Sequence, residues 1–488
     1  MNCFAFTNSS AFMRPRTILH QCLSCFFLLF FLASCTKVLN QTPEFTIAED
    51  NYWQTSNDAE AAAVGMYPVV QALAAQYPVA FDAGSDATTA LLANYSPFSQ
   101  HGIPVDNAIV FTYWQNLYTG IGRANDLIQH VPAINDSMFI AGQKARILGE
   151  AYFLRAYFYF SLVKAYGAVP LVTKPYTSFN ADFTIGRSSV DSVFSQIVAD
   201  LHVAENSLPL TYAAVIDTRG RATQGGAKAL LAKVYLSMKN YDSAAAKALE
   251  VMNNTTYSLV TGSAAYSGMF STSGKNGSES IFEIQYLSAT QQGNGLFSFY
   301  LPSAGLPAGI QPGSYQIAPT PKIIAAFETG DIRKNAALAT NTAVPPVLPT
   351  TYVNKYDRLV SGAEPNIIAM RLADIILVRA EALNDLGQTT DAAALLDLIR
   401  RRAFGLSLTD PSVHDFPSAD DLTNGYDLTL AIENERFKEL AFEGQRFYDL
   451  VRTGRAAAVL GISADQALWP IPLGEIGTNP RLMQNHGY

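Results

Sequence analysis

The sequence predicts a mostly α-helical protein in which a scaffold of helical hairpins carries an irregular, loop-rich lobe with short strands. Three observations lead there. From Lys144 to Tyr166, the residues Ile147, Ala151, Leu154, Phe158, Leu162 and Ala165 recur every three or four positions, the spacing of one helix face. Two later stretches place small residues twelve apart, Ala232 with Ala244 and Ala380 with Ala392, around turns at Lys239-Asn240 and Gly387. Tetratricopeptide-like hairpins require such residues because their two helices approach closely; these repeats are degenerate and do not name the fold alone. Between about 255 and 365, glycine, serine, threonine and proline rise, and short runs such as Ile281-Phe282-Glu283-Ile284 predict strands between long loops.

The first 35 residues obey different rules. Arg14 and Arg16 precede an apolar run from Cys22 to Ala33, which ends at Leu32-Ala33-Ser34-Cys35. A basic start, a short apolar stretch and small residues before a cleavage point make a secretory signal over residues 1–34. It is too short and too sharply ended for a membrane span. Leu-Ala-Ser-Cys resembles the lipobox of bacterial lipoproteins, so Cys35 is expected to carry lipid on its sulfur. One acyl chain anchors only marginally, at ~0.8 kcal/mol per buried methylene, whereas the three chains of such lipoproteins would hold permanently. All four cysteines (Cys3, Cys22, Cys25 and Cys35) lie in this segment, so the mature body must rely on its core instead of disulfides.

Residues 36–50 read as a polar tether. Three regions follow: N-terminal helical (35–254), loop-rich (255–365), and C-terminal helical with an extended tail (366–488). In the first, a helix is expected from Asp58 to Ala75, loops over 76–108, a helix from Phe111 to Val131, and the helix 144–166 ended by Gly167 and Pro170. Ser188 with Asp191 makes a capping-box pattern for the next helix, which Pro209 closes. In the last region the chain reads as helical from Asn366 to Arg402 and as one long helix from Leu428 to Arg455, before an extended tail from Trp469 to Tyr488.

Composition excludes several functions. Hydrophobic residues make up 49%, aromatics 11% and charged residues only 15%, which is enough apolar mass for a large core and unlike a disordered chain. The formal net charge is -8, and no basic or aromatic-interleaved Arg/Lys patch exists, so nucleic acid is not an expected partner. His101, His130, His202, His414 and His486 have no ligand spacing, so no metal site is expected. With no Gly-x-Ser-x-Gly, phosphate loop or dinucleotide fingerprint, no cofactor is expected either.

Four stretches in order carry a family likeness. They are Glu150-Ala-Tyr-Phe-Leu-Arg155-Ala running on to Leu162-Val-Lys-Ala-Tyr166-Gly-Ala-Val-Pro170, Arg219-Gly-Arg-Ala-Thr leading into Ala227 to Leu236, Arg371-Leu-Ala-Asp374 to Asn384, and Glu435-Arg436-Phe-Lys-Glu439-Leu-Ala-Phe-Glu443-Gly444-Gln-Arg446-Phe-Tyr-Asp449-Leu450. With Trp469-Pro-Ile-Pro472 and the closing Gln484-Asn485-His486-Gly487-Tyr488, where the family usually has proline at the His486 position, the chain resembles the SusD/RagB family. The resemblance implies a scaffold of four tetratricopeptide-like pairs and a lobe carrying the ligand site. It also implies a non-enzymatic outer-membrane lipoprotein, facing the cell exterior, that captures an oligosaccharide or peptide and delivers it to a SusC-like TonB-dependent transporter. Surface-displayed members often carry acids just after the lipidated cysteine, and Thr36 to Gln41 has none.

Ligand candidates come from loops, because sugars offer flat C–H faces to aromatic rings and hydroxyl pairs to amides and carboxylates. Two regions hold both ingredients: Phe81, Asp82, Asp86, Asn94, Tyr95, Phe98, Gln100 and His101, and Gln291, Asn294, Phe297, Phe299, Tyr300 and Tyr315. Aromatics that pin loops to the scaffold are the plainer reading of any one of them. Glu435, Glu439 and Glu443 repeat every four residues. Stacked on one helix face they do not oppose each other across a cleft as glycoside hydrolysis needs, and Arg371, Arg379 and Arg400 are candidate ion-pair partners. Gly444, read as mid-helix, suggests close packing. A surface glycoside hydrolase or peptidase, and a periplasm-facing tetratricopeptide-type scaffold, are the rival functions.

Overall fold

Asn107 accepts hydrogen bonds from the Ile109 and Val110 amides and so starts α1 (Ala108–His130), satisfying donors that a helix N-terminus leaves open. The computed structural model describes residues 52–175, 184–286, 294–342, 350–356, 365–423 and 425–488. Seven more helices of twelve or more residues follow among them: α2 (Gln143–Tyr166), α3 (Val190–Ser207), α4 (Gln224–Ser237), α5 (Tyr241–Met252), α6 (Leu372–Asp385), α7 (Thr389–Ala403) and α8 (Leu428–Glu439). From α1 to α7 each packs chiefly on its neighbours in sequence, and α8 lies across α6 and α7. The protein is mostly α, in paired helices.

The expected face of α2 is buried, but so are Phe153, Arg155, Tyr159 and Phe160 on its other sides. This helix is enclosed by α1, α3, the helix Ser56–Val64 and the Phe282 ring, which meets Phe153 and Tyr157, which is why it is apolar nearly all round. Gly120 lets α1 come close: a Cβ there would stand 2.4 Å from the Phe158 ring. The Arg155 guanidinium donates to Asp200 of α3 at 2.8 and 2.7 Å and to Asn125 of α1 at 2.8 Å, tying three helices through one buried cation. Both expected hairpins form, with Lys239 (φ 59°) and Gly387 (φ 75°) in the left-handed conformation at their turns.

Among the described residues, six short strands make three antiparallel pairs: β1 (Thr88–Ala90) with β3 (Ile317–Pro319), β2 (Ser280–Ile284) with β6 (Ile367–Arg371), and β4 (Leu338–Thr340) with β5 (Thr351–Val353). Several boundaries depart from the sequence reading. The 58–75 helix breaks at Gly65 into Ser56–Val64 and Tyr67–Ala74. The 76–108 loops contain the helix Tyr77–Ala83, whose Pro78 sits in the first turn, where a missing N–H costs nothing. Residues 367–371 are β6, not helix. α3 is capped by Ser189, accepting from the Ser192 amide, and not by Ser188. The long helix expected over 428–455 ends at Glu439 and resumes at Arg446–Arg452, because Phe442 (φ 65°) and Gly444 (φ 69°) turn the chain. The close packing inferred at Gly444 is real, since a Cβ there would lie 2.9 Å from the Pro78 backbone.

Candidate ligand-binding site

The β1–β3 ladder brings together two segments about two hundred residues apart in the chain. Past it, the Leu91 amide donates to the Gln316 carbonyl at 2.7 Å, and the Tyr95 and Phe299 rings meet edge to face at 5.5 Å. The two loop regions chosen separately from sequence therefore form one surface. Its chain folds back tightly at Gly313, where a Cβ would fall 2.4 Å from the Leu301 carbonyl oxygen.

The candidate residues divide by burial. Gln100 and Asn94 are exposed, and Tyr315, Phe299 and His101 are partly exposed. Tyr315 has φ 45° and donates its hydroxyl to the Thr351 carbonyl at 2.9 Å, which holds the ring beside β5. Phe81, Asp82, Tyr95, Phe98, Asn294, Phe297 and Tyr300 are buried. Phe81 stacks on Trp469 at 4.7 Å and Phe98 meets the same indole at 5.2 Å, so both join the aromatic core around the C-terminal tail. Asn294 donates to the Pro365 carbonyl and accepts from the Leu296 amide. Burial lifts the Tyr95 phenol to about 12.

Asp82 accepts from the Tyr300 hydroxyl at 2.7 Å and from the Gly444 amide at 3.0 Å. Burial pushes its carboxyl up to about 7 even though both hydrogen bonds favour the charged form. Asp86 is half-covered by cations, with Arg446 at 2.8 and 3.0 Å and Lys322 at 2.6 Å. Burial would raise its carboxyl, but the Arg446 bond and charge outweigh that and hold it below the usual range. Cys35 and Gln291 lie outside the described residues. Sequence reasoning passed over Leu91 and Leu92, each 46% exposed, and Gln316, which all border this surface. A leucine pair inside a loop gives no periodicity from which exposure could be read.

Two family profiles match the chain, one described as starch-binding, associating with the outer membrane, over residues 47–236, and one described as the SusD family over residues 340–466. The chain belongs to the SusD/RagB family. SusD-like protein P38 of Formosa agariphila is 28% identical over 511 residues, covering 94% of this chain and 96% of the relative. Among solved structures, a laminarin-binding SusD-like protein is 29% identical with a TM-score of 0.77, covering 89% of this chain and 100% of that one. A surface glycan-binding protein A from Bacteroides fluxus is 24% identical with a TM-score of 0.75, covering 89% and 100%, and shares the fold.

The SusD-family match over the C-terminal part includes the three glutamates. Glu435 and Glu439 are fully buried, and Glu443 is nearly so at the turn after α8. Arg333 reaches Glu435 at 2.5 Å and Glu439 at 3.0 Å; Arg371 pairs with Glu439, Glu443 and, at 2.9 Å, Glu279; Arg402 joins Glu279 at 2.9 Å. Arg400 approaches Glu435 at 3.5 Å. Arg379 is not a partner and donates to the Ala245 carbonyl. Burial alone would raise the Glu435 carboxyl, but Arg333, Lys438 and Arg400 bring it down to about 2. These acids are committed to an ionic core that ties the lobe to α7 and α8, and Glu443 also borders a small cleft beside Pro78 and Lys164.

Proposed function

We propose that this chain is a lipid-anchored glycan-binding protein of the outer membrane. In this reading Cys35 holds it to the membrane, its loop surface faces the cell exterior, and it hands an oligosaccharide to a SusC-like TonB-dependent transporter without cutting it. The observation that carries the reading is the joining of two distant loop regions into one surface, where the exposed Leu91 and Leu92 lie beside Asn94, Gln100, Phe299, Tyr315 and Gln316. Flat apolar groups beside amides suit a neutral sugar, which stacks its C–H face and bonds through its hydroxyls. The laminarin-binding relative supports a β-glucan as the first ligand to try. The buried, ion-paired state of Glu435 and Glu439 argues against a hydrolase built on them.

Calorimetric titration of the chain lacking residues 1–35 with laminarin tests this directly. Binding is expected without release of shorter sugars. Replacing Phe299 and Tyr315 together by alanine should weaken it roughly tenfold or more, since each ring contributes about 0.5–1.5 kcal/mol of stacking. Unchanged binding in that variant would remove the surface from consideration, and laminarin shortening over time would make the protein an enzyme. Fatty-acid labelling that survives Cys35→Ala would overturn the anchor.

A further inference from the structure

A cleft of about 860 Å³, lined by described residues, lies between α1, the segment 170–175 and the C-terminal helix Leu473–Thr478 and shares no lining residue with the loop surface. Its α1 wall is a polar stripe. Gln115, Tyr118, Thr119, Gly122 and Asp126 share one helix face, with Ile121 beside them in the lining, whereas Leu117, Gly120 and Ala124 turn toward the core.

The facing segment is pinned at successive positions by side chains of α1 and α2. The Tyr118 hydroxyl donates to the Pro170 carbonyl at 2.8 Å, Tyr159 both donates to the Val172 carbonyl and accepts from its amide, and Asn125 donates to the Val172 carbonyl at 3.0 Å. Asn125 is in turn fixed by Arg155. On the tail side, Asn479 donates to the Ile185 carbonyl at 2.9 Å, and Glu475 stands in the same lining as the Trp114 indole. Both walls are thus set before anything binds, which lowers the ordering cost that a ligand meets.

We propose that this cleft is a second saccharide-binding site, taking a neutral oligosaccharide. Its volume lies in the upper part of the range for small-ligand pockets, about 300–1000 Å³, larger than one sugar ring needs. Tyr118 and the Trp114 indole supply an apolar floor, and Gln115, Thr119 and Thr478 supply amide and hydroxyl partners at the rim. Lys174 stands with Asp126 and Glu475 in the same lining, so the cleft does not present one sign of charge to an ionic ligand. A second site on a separate face would let the protein hold a long glycan at two points, raising avidity without a new contact at either.

Gly122 provides the test. No heavy atom lies within 4 Å of where its Cβ would be, and its helical backbone has no positive φ, so Gly122→Leu plugs the cleft without straining α1. The inference rests on the glucan-binding reading, and the arms of the experiment separate the two. Laminarin oligosaccharides are titrated into the mature protein, into Gly122→Leu and into the Phe299→Ala, Tyr315→Ala variant, with melting temperatures taken alongside. The expected result is two sites in the parent and one in each variant. Binding abolished by Gly122→Leu alone supports the cleft and removes the loop surface. Stoichiometry and affinity unchanged in a folded Gly122→Leu overturn the cleft and leave the loop surface standing. A parent that binds no laminarin overturns both.

Discussion

Asp82 sits where the helix Tyr77–Ala83, the loop surface and the turn after α8 meet, 1% exposed, with Tyr300 and Gly444 as its donors. Burial is the largest influence on its carboxyl. The Tyr300 and Gly444 hydrogen bonds and the Lys355 charge oppose that influence and Glu443 adds to it, leaving the group near 7 against 3.8 ordinarily. The native state therefore holds this proton more tightly than the unfolded chain. As pH rises from about 4 to 7, the unfolded chain ionises first and stability falls; below and above that window the contribution is flat. Denaturant unfolding at pH 5 and pH 8 should show the parent losing a few kcal/mol more between them than Asp82→Asn does. Equal losses would mean that Asp82 is ionised in the native protein. None of this was legible in the sequence, which marks Asp82, Tyr300 and Asn294 as polar loop residues of the kind that grip sugars. Whether a polar group faces solvent or closes a junction depends on neighbours more than two hundred residues away.

At the scale of elements, legibility followed periodicity. α2 and both hairpins were readable because a 3.6-residue repeat survives burial on several sides. The run Ile367-Ile368-Ala369-Met370 was not, since a short apolar stretch fits a strand or a helix alike; it became β6 because β2 was there to pair with it. The break after α8 was hidden for the opposite reason. The four-residue spacing of the glutamates continues through Glu443, although the helix has already ended. What the pattern cannot show is how closely two readable helices approach. Gly120 against Phe158 sets that distance for α1 and α2, since a Cβ would stand 2.4 Å from the ring. Gly120→Ala should cost about 1–3 kcal/mol by overpacking. Phe158→Leu in the same chain should recover part of that cost, so a double-mutant cycle yields a coupling of about 0.5 kcal/mol or more. Strict additivity would show that α1 can shift away without loss.

For the whole molecule, the ionic core and the Asp82 junction impose opposite pH dependences, and together they set where the protein is most stable. Burying Arg333, Arg371 and Arg402 among Glu279, Glu435 and Glu439 holds the lobe onto α7 and α8. Such a core lasts only while its carboxylates stay charged, because a buried cation without a partner costs about 3–5 kcal/mol. Glu435 has a folded pKa of about 2 against 4.5 ordinarily, and Glu439 lies well below its ordinary range, as burial is outweighed first by Arg402 and Arg371. Their contribution is complete above about 4.5 and drains away as pH falls through the folded value. The other window runs the opposite way: Asp82 loses stability as pH rises toward 7, and burial raises Asp200 and Asp397 in the same direction. Stability should therefore peak at roughly pH 4.5, where the glutamate term is complete and the Asp82 loss has only begun, and fall steeply below that and more gently above it. Thermal unfolding across pH 3–8 reads the profile. In Asp82→Asn the gentle upper slope should flatten and the peak broaden toward neutral pH, while the steep acid limb stays where it was. A parent profile that climbs steadily to pH 8 would mean that the buried carboxyl at the lobe junction does not hold its proton, and that the ionic core alone governs the response to pH.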